Sequence, residues 1–159
     1  MSEIYKDCTS SIFFGDVEDR LGALVVWMGA QFIYTTVVWA VIIGDKPGSS
    51  MVQLFTFLLS LIGAAFLFIY LKNDENQDTM KKALPWVGMF WLLHSFTTWM
   101  CVFIHAIDKM FVDNAAGYIV ILIFSTIFTL VWLQVTFALN SFAYKQDGSQ
   151  ARNDDDYPQ

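Results

Sequence analysis

Both histidines of the chain, His94 and His105, lie in one long apolar stretch, residues 84–107. Histidine is a common metal ligand and exchanges protons near neutral pH, so the pair could hold a metal ion or relay protons. Eleven residues of helix place them about 16 Å apart, and they therefore cannot bind the same ion. We expect no metal site on this stretch.

The other side chains do not complete a metal or catalytic site either. Gln31 and a few hydroxyl groups match His94 in depth, and they are poor ligands for a transition metal. No apolar stretch contains a carboxylate beside a histidine, as an intramembrane proton relay would need. The Cys-x-x-Cys, His-Glu-x-x-His and Gly-x-Ser-x-Gly patterns of known enzymes are also missing from the sequence. The sequence therefore predicts no catalytic residue, no metal and no cofactor.

The histidine-containing stretch is one of four long uncharged apolar segments. They cover residues 21–43, 51–71, 84–107 and 118–139. Each is about as long as a helix that crosses the roughly 30 Å hydrocarbon core of a bilayer. Two of the polar connections between them, 44–50 and 108–117, are short. The sequence predicts an all-α integral membrane protein, a four-transmembrane-helix antiparallel bundle of residues 21–143.

Composition and charge support a membrane protein and predict its orientation. The chain is 56% hydrophobic and 15% charged, with a formal net charge of -6, which leaves no basic surface for nucleic acid. Seven of its nine basic residues lie in the tails and the middle connection: Lys6, Arg20, Lys72, Lys81, Lys82, Lys145 and Arg152. Basic residues are retained on the cytoplasmic side, so both tails, residues 1–20 and the disordered acidic segment 144–159, are predicted to be cytoplasmic.

Aromatic residues near the ends of the segments fit this orientation. An amphipathic ring is most stable at the headgroup level of a membrane. Trp39 and Tyr118 are therefore expected at the outer interface, and Tyr70, Trp86 and Tyr144 at the inner one.

Counting from the segment ends places one polar residue of each segment near the membrane midplane. These residues are Gln31, Ser60, His94 and Thr129. Each belongs to a helical stripe of small or polar residues, and Thr98 continues the stripe of His94. We expect these faces to meet in the interior as a polar seam, in which His94 bonds to Thr129 or Gln31, while His105 lies solvated near the outer interface. For the serine and threonine positions close helix packing is the simpler interpretation, whereas Gln31 and His94 are the functional candidates.

The borders of the segments resemble a known group of membrane proteins. The matching residues are Arg20-Leu21-Gly22, Tyr70-Leu71-Lys72, Ala83-Leu84-Pro85-Trp86 and Ser141-Phe142-Ala143-Tyr144-Lys145. They resemble the lysosome-associated four-span transmembrane protein family and its uncharacterised invertebrate relatives, which implies a four-span fold in an endosomal or lysosomal membrane. Members of that family often carry a cysteine cluster before the first span and proline-tyrosine motifs in the C-terminal tail. This chain has Cys8 alone and Tyr157-Pro158, and no family site residue is carried over.

The leading functional hypothesis is a non-enzymatic four-span protein that binds lipid and other integral membrane proteins. It would act as an accessory subunit, a trafficking adaptor or a lipid-interacting scaffold, at the endosomal/lysosomal or the plasma membrane. The alternative is a small channel or transporter with a polar midplane lined by Gln31 and His94. An accessory subunit of an energy-transducing complex and a MARVEL-type vesicle or junction protein also remain open. Cys8, with twelve residues between it and the first span, is a candidate palmitoylation site.

Overall fold

The structure is a computed structural model that describes residues 17–43, 47–72, 81–110 and 115–144. Four long helices make up almost all of these residues. Helix α1 comprises Val17–Val38 and continues as a π-helical turn, Trp39–Ile43, and α2 comprises Pro47–Lys72. Helix α3 comprises Leu84–Met110 and α4 comprises Ala115–Tyr144. Residues 1–16, which include Cys8, and most of the C-terminal tail lie outside the described residues.

All four helices have the length and composition of membrane spans. The apolar windows are Ala23–Val41, Gly48–Lys72, Leu84–Ile107 and Ala116–Tyr144. The prediction of an all-helical protein with four helices long and apolar enough to cross a membrane is therefore confirmed.

The helices extend beyond the predicted apolar segments at several ends. Helix α1 begins four residues before residue 21, α2 begins at Pro47 rather than at residue 51, and α4 is 30 residues long. Proline fits the first position of a helix, because its fixed φ suits the helix and its missing N–H would have no partner there. Sequence hydropathy marks the part of a helix that suits hydrocarbon, whereas backbone hydrogen bonding continues beyond it.

The outward faces of the helices are apolar along most of their length. Examples from the four helices are Val26 (74% exposed), Met51 (70%), Met89 (52%) and Leu130 (55%). In water such a surface would drive aggregation, whereas in a bilayer it is solvated by lipid tails. The surface is therefore that of a multi-pass membrane protein.

Two apolar clusters form the core, one toward each end of the helices. The large apolar cluster consists of Leu21, Leu24, Met28, Leu67, Tyr70, Leu84, Val87, Trp91, Trp132, Val135 and Leu139. The small apolar cluster consists of Val38, Cys101 and Val102, with Tyr34, Tyr118, Ile121 and Leu122 packed against it. The large cluster joins the beginnings of α1 and α3 to the ends of α2 and α4.

Helix α3 packs against both α2 and α4, and glycines mark its closest approaches. A Cβ atom on Gly88 would lie 2.8 Å from the Thr136 Cα atom of α4, closer than Cβ atoms approach other atoms. A Cβ atom on Gly63 of α2 would lie 3.4 Å from the Val87 Cα atom, which is an ordinary contact. Residue 88 therefore has to be glycine for α3 and α4 to pack as they do.

One of the predicted interfacial aromatics lies in the core instead. Tyr70 is 5% exposed and belongs to the large apolar cluster. Its position two residues before the end of α2 indicated a membrane interface, but its side chain lies on the same face of α2 as Leu67, in the large apolar cluster that also contains Leu84 of α3. Trp39, Trp86 and Tyr144 are exposed, and Tyr118 is half-buried beside the small apolar cluster.

Candidate functional site: a buried polar layer

A layer of buried polar side chains lies between the two apolar clusters. Its members are Gln31 and Thr35 of α1, Gln53, Thr56 and Ser60 of α2, His94, Ser95 and Thr98 of α3, and Ser125 of α4. Six of them are almost completely enclosed, with exposures of 0% for Gln31 and Ser60 and 1% for His94, Ser95, Thr98 and Ser125. Thr129 is half-buried and adjoins the layer. All five residues predicted for the polar seam thus lie in or beside this layer, and all four helices contribute to it.

The His94 side chain forms a hydrogen bond with α2. Its Nδ1 atom lies 3.1 Å from Thr56 Oγ1. The Thr56 hydroxyl is also 3.1 Å from the carbonyl oxygen of Val52 and 3.2 Å from that of Gln53, both in its own helix. Because its single proton is directed at these carbonyls, Thr56 accepts from the Nδ1–H of His94. Nε2 of the neutral ring is then an acceptor, and it is buried without a hydrogen-bond partner among the described residues.

The partner predicted for His94 was wrong. Neither Thr129 nor Gln31 bonds to it: the Thr129 hydroxyl lies 3.2 Å from Ser95 Oγ and donates to the Ser125 carbonyl, and Gln31 donates to Thr35. Depth along the helices was predicted well enough to group these residues. The rotation of each helix about its axis decides which neighbours meet, and α3 turns His94 toward α2.

Only one of the two polar atoms of the Gln31 amide has a hydrogen-bond partner within α1. Nε2 donates to Thr35 Oγ1 over 3.2 Å, whereas Oε1 is buried without a partner in the part of the chain that the structure describes. A desolvated acceptor of this kind costs about 1–3 kcal/mol. Gln31 is therefore an unfavourable side chain for stability alone, which is the reason it stays a functional candidate.

Helices α2 and α3 meet along a seam of alternating three- and four-residue steps, here called the α2–α3 seam. On α2 it follows Ser49, Gln53, Thr56, Ser60, Gly63, Leu67 and Tyr70, and on α3 it follows Leu84, Val87, Trp91, His94, Thr98, Cys101 and His105. Such a pattern keeps one face of each helix on its neighbour. The seam divides into an apolar half, at the end of α2 and the beginning of α3, and a polar half, at the beginning of α2 and the end of α3.

The polar half has a linking residue that the sequence reasoning did not single out, Gln53. It is 2% exposed, and its Oε1 accepts from Thr98 Oγ1 over 3.3 Å. The side chains of Gln53 and Ser49 also lie near the Cys101 thiol. Gln53 is the third residue of the apolar segment 51–71, and a glutamine so close to a segment end is unremarkable. The step of three from Gln53 to Thr56 on the stripe of Ser60 was the signal that could have found it.

His105 is buried, contrary to the expectation of a solvated residue. It is 8% exposed, and its Nδ1–H donates to the Cys101 carbonyl over 2.7 Å. Since the carbonyl can only accept, Nε2 of the neutral ring is an unprotonated acceptor, and it has no partner within the described ranges. The seam continues to this residue because α3 extends to Met110 and keeps the same face on the protein interior.

Helices α1 and α4 are joined by a separate set of hydrogen bonds. The Tyr34 hydroxyl donates to the Ile121 carbonyl over 2.8 Å and makes a close hydrogen bond with Ser125 Oγ. The Tyr34 ring also stacks on Phe128, with 4.9 Å between ring centroids. Tyr34 therefore fixes the position of α1 on α4, a role that its aromatic character alone did not indicate.

Seven buried polar atoms have no hydrogen-bond partner among the described residues. They are Nε1 of Trp27, Trp91 and Trp132, Oε1 of Gln31, Nε2 of Gln53, and Nε2 of His94 and His105. Most buried polar groups in proteins are paired, and each unpaired group costs about 1–3 kcal/mol. The set contains donors and acceptors in comparable number, so one kind of small molecule able to do both can satisfy it.

A metal centre is not assembled from these residues. Within residues 17–43, 47–72, 81–110 and 115–144, no group of three histidine, cysteine, aspartate or glutamate side chains could hold a metal ion. The chain matches no protein-family model, no curated protein and no solved structure.

Proposed function

We propose that the protein is a non-enzymatic, four-span membrane protein that binds other integral membrane proteins. It forms an antiparallel bundle with both termini in the cytoplasm, and it serves as an accessory subunit, a trafficking adaptor or a lipid-interacting scaffold. The alternation of helix ends in the large apolar cluster supports the antiparallel arrangement, and the distribution of basic residues supports the orientation. Endosomal, lysosomal and plasma membranes all suit such a protein.

The observation that carries this proposal is an exposed glutamine on the apolar face of α4. Gln134 is exposed and makes no hydrogen bond within the described residues. It shares its face with Ile127 (46% exposed), Leu130 (55%) and Phe137 (44%), at helical spacing. It lies four residues from the middle of the window Ala116–Tyr144, which is about 6 Å from the middle of the span and about 9 Å inside the hydrocarbon boundary.

An amide at this depth needs a hydrogen-bonding partner that lipid tails do not supply. Leaving its donor and acceptor unpaired in an apolar medium costs several kcal/mol, whereas a polar group on another transmembrane helix can satisfy both. The flanking leucine, isoleucine and phenylalanine side chains supply the packing surface for such a helix. The face of α4 around Gln134 is therefore the place where we expect a partner protein to bind.

The experiment is gentle detergent extraction followed by native sizing and identification of co-migrating proteins. The wild-type protein should migrate in a discrete hetero-complex, and Gln134→Leu should release it as a smaller species with an unchanged thermal stability. The matched control is Thr36→Val, because Thr36 is also exposed in a span but donates to the Phe32 carbonyl of its own helix over 2.9 Å. A monomer or homo-oligomer for the wild type, or a complex that survives Gln134→Leu, would count against the proposal.

A small channel or transporter is the second candidate, and the unpartnered polar atoms of Gln31 and His94 favour it. A path through the protein would also have to pass the large apolar cluster, where Val87 and Trp132 are 0% exposed and Leu67 is 1% exposed. In this conformation the cluster closes the interior at one end. For that reason we place membrane-protein binding first.

Reconstituted vesicles distinguish the two functions. If the protein is a channel lined by His94, the vesicles should show a solute or proton flux that changes in His94→Ala. If it is a binding protein, vesicles with the wild type or with His94→Ala should be no leakier than protein-free vesicles. A flux that depends on His94 would favour a channel or transporter over membrane-protein binding.

A further inference from the structure

We propose that the polar half of the α2–α3 seam is a binding site for water or another small uncharged hydrogen-bonding molecule, and that it opens only at the membrane face where α2 begins. In the predicted orientation this is the outer or lumenal face. The site reaches from Ser49 and His105 at its entrance to His94 in the middle of the span, and the large apolar cluster closes it beyond Trp91.

The first support is the concentration of unpartnered polar atoms along this half of the seam. Nε2 of Gln53, Nε1 of Trp91 at the border with the large apolar cluster, and the Nε2 atoms of His94 and His105 have no hydrogen-bond partner among the described residues. These four side chains are 2%, 3%, 1% and 8% exposed, so each is more than nine-tenths buried. They share one seam with Thr56, Thr98 and Cys101, which connect α2 to α3 through the contacts described above.

The mixture of free donors and acceptors defines the class of ligand. An anion would leave the histidine acceptors unsatisfied, and a cation would leave the indole and amide N–H groups unsatisfied. Residues 47–72 and 84–107 contain no charged side chain except Lys72 at the end of α2, so an ion within the seam would have no counter-charge. Water both donates and accepts, and buried waters typically make about three hydrogen bonds to groups of this kind.

The second support is the difference between the two ends of the seam. At the beginning of α2, Ser49 and Ser50 are half-buried and Cys101 lies beside Ser49 and Gln53, so polar groups continue to the surface. At the other end Leu67, Tyr70, Leu84 and Val87 are at most 5% exposed and pack together in the large apolar cluster. Within the seam, a polar path therefore leads from His94 toward one face of the membrane and not toward the other.

Cys101 is a natural reporter of this site. It lies on the seam about two turns from His94, and Cys8 is the chain's other cysteine. In a Cys8→Ser protein, a small polar methanethiosulfonate reagent can be added to one side of the membrane, with impermeant free cysteine on the opposite side as a scavenger. The cysteine thiolate attacks the sulfenyl sulfur of the reagent and forms a mixed disulfide with release of methanesulfinate, and the thiolate forms in contact with water and not in lipid. We expect Cys101 to react from the side where α2 begins, and not from the other side.

Matched cysteines separate the seam from the lipid-facing surface. In a background without Cys8 and Cys101, Thr98→Cys lies in the polar half, Phe96→Cys faces lipid at nearly the same depth (Phe96 is 47% exposed), and Val87→Cys lies in the apolar half (Val87 is 0% exposed). We expect Thr98→Cys to react at least ~10-fold faster than either control, a ratio equivalent to about 1.4 kcal/mol in the barrier. Variants are compared only if they elute as the wild type does in size-exclusion chromatography.

Three results would overturn the proposal. The seam is dry if neither Cys101 nor Thr98→Cys reacts faster than Phe96→Cys. The one-sided entrance is wrong if Cys101 reacts from the side where α2 ends, and the apolar closure is wrong if Val87→Cys reacts as fast as Thr98→Cys.

Discussion

Replacing Gly88 by alanine tests the closest helix contact of the protein. The added Cβ atom would lie 2.8 Å from the Thr136 Cα atom and 2.9 Å from its Oγ1 atom. The Cα atom cannot move alone, so α3 and α4 have to separate by several tenths of an ångström. Overpacking of this kind costs about 1–3 kcal/mol, and a contact with backbone belongs in the upper half of that range. Alanine regains at most about 1 kcal/mol as the better helix former. The expected net loss is about 1–2 kcal/mol of stability.

Two other glycines are internal controls for this loss. A Cβ atom on Gly29 would meet nothing within 4 Å, and one on Gly63 would make ordinary contacts at 3.4–3.5 Å. Gly29→Ala should therefore be neutral or slightly stabilising, and Gly63→Ala should have an effect smaller than that of Gly88→Ala. The three substitutions add the same methyl group within helices, so differences among them report packing.

The assay is thermal unfolding of the purified protein in detergent, followed by size-exclusion chromatography or intrinsic fluorescence. The midpoint temperatures should fall in the order Gly29→Ala, Gly63→Ala, Gly88→Ala, with the last below the wild type. A Gly88→Ala protein as stable as Gly29→Ala would refute the close approach of α3 and α4.

Further substitutions test individual contacts. Tyr34→Phe removes the hydroxyl that joins α1 to α4 and should lower stability by about 1 kcal/mol, whereas Trp99→Phe, which removes an indole bond to Thr126 near the surface, should cost about 0.6 kcal/mol or less. The same unfolding assay measures both, and a larger effect for Trp99→Phe would contradict the assignment of Tyr34. Gln31→Leu removes a buried acceptor that has no partner within the described ranges and should leave the midpoint unchanged or raise it. A loss above about 2 kcal/mol would mean that Gln31 makes a stabilising contact.

The helices could be predicted from the sequence because membrane spans are encoded locally. Some twenty consecutive apolar residues identify a span whatever its neighbours are, and residues 84–107 agree with the apolar window of α3 to the residue. The ends of the other helices were predicted less accurately, since residues 47–50 and 140–144 lie outside the apolar segments, are mostly polar or small, and are still helical.

The polar layer was predictable in depth but not in pairing. Counting residues from the helix ends gives a position along the membrane normal, and the residues grouped in this way, Gln31, Ser60 and His94, are all buried. The rotation of each helix depends on the packing of all the others, so the contact of His94 with Thr56 could not be read from spacing.

Gln53 and Gln134 also show that local sequence does not determine which face of a helix is buried. Both are glutamines within apolar helices, and nothing in their local sequence states that Gln53 is 2% exposed while Gln134 faces outward. The difference follows from which face of each helix meets α3. Once the faces are known, Gln53 becomes part of an interior site and Gln134 part of an outward surface.

The most direct test of a four-span topology with cytoplasmic termini is to determine on which side of the membrane each of the two polar connections flanking α2 lies. In a Cys8→Ser, Cys101→Ser background, single cysteines are introduced as Lys46→Cys and Asn76→Cys and exposed to a membrane-impermeant thiol label in intact cells or sealed vesicles. We expect Lys46→Cys to be labelled from the outer or lumenal side and Asn76→Cys only from the cytoplasmic side. Labelling of both positions from the same side would contradict the membrane crossing by α2, and with it the orientation of the polar seam.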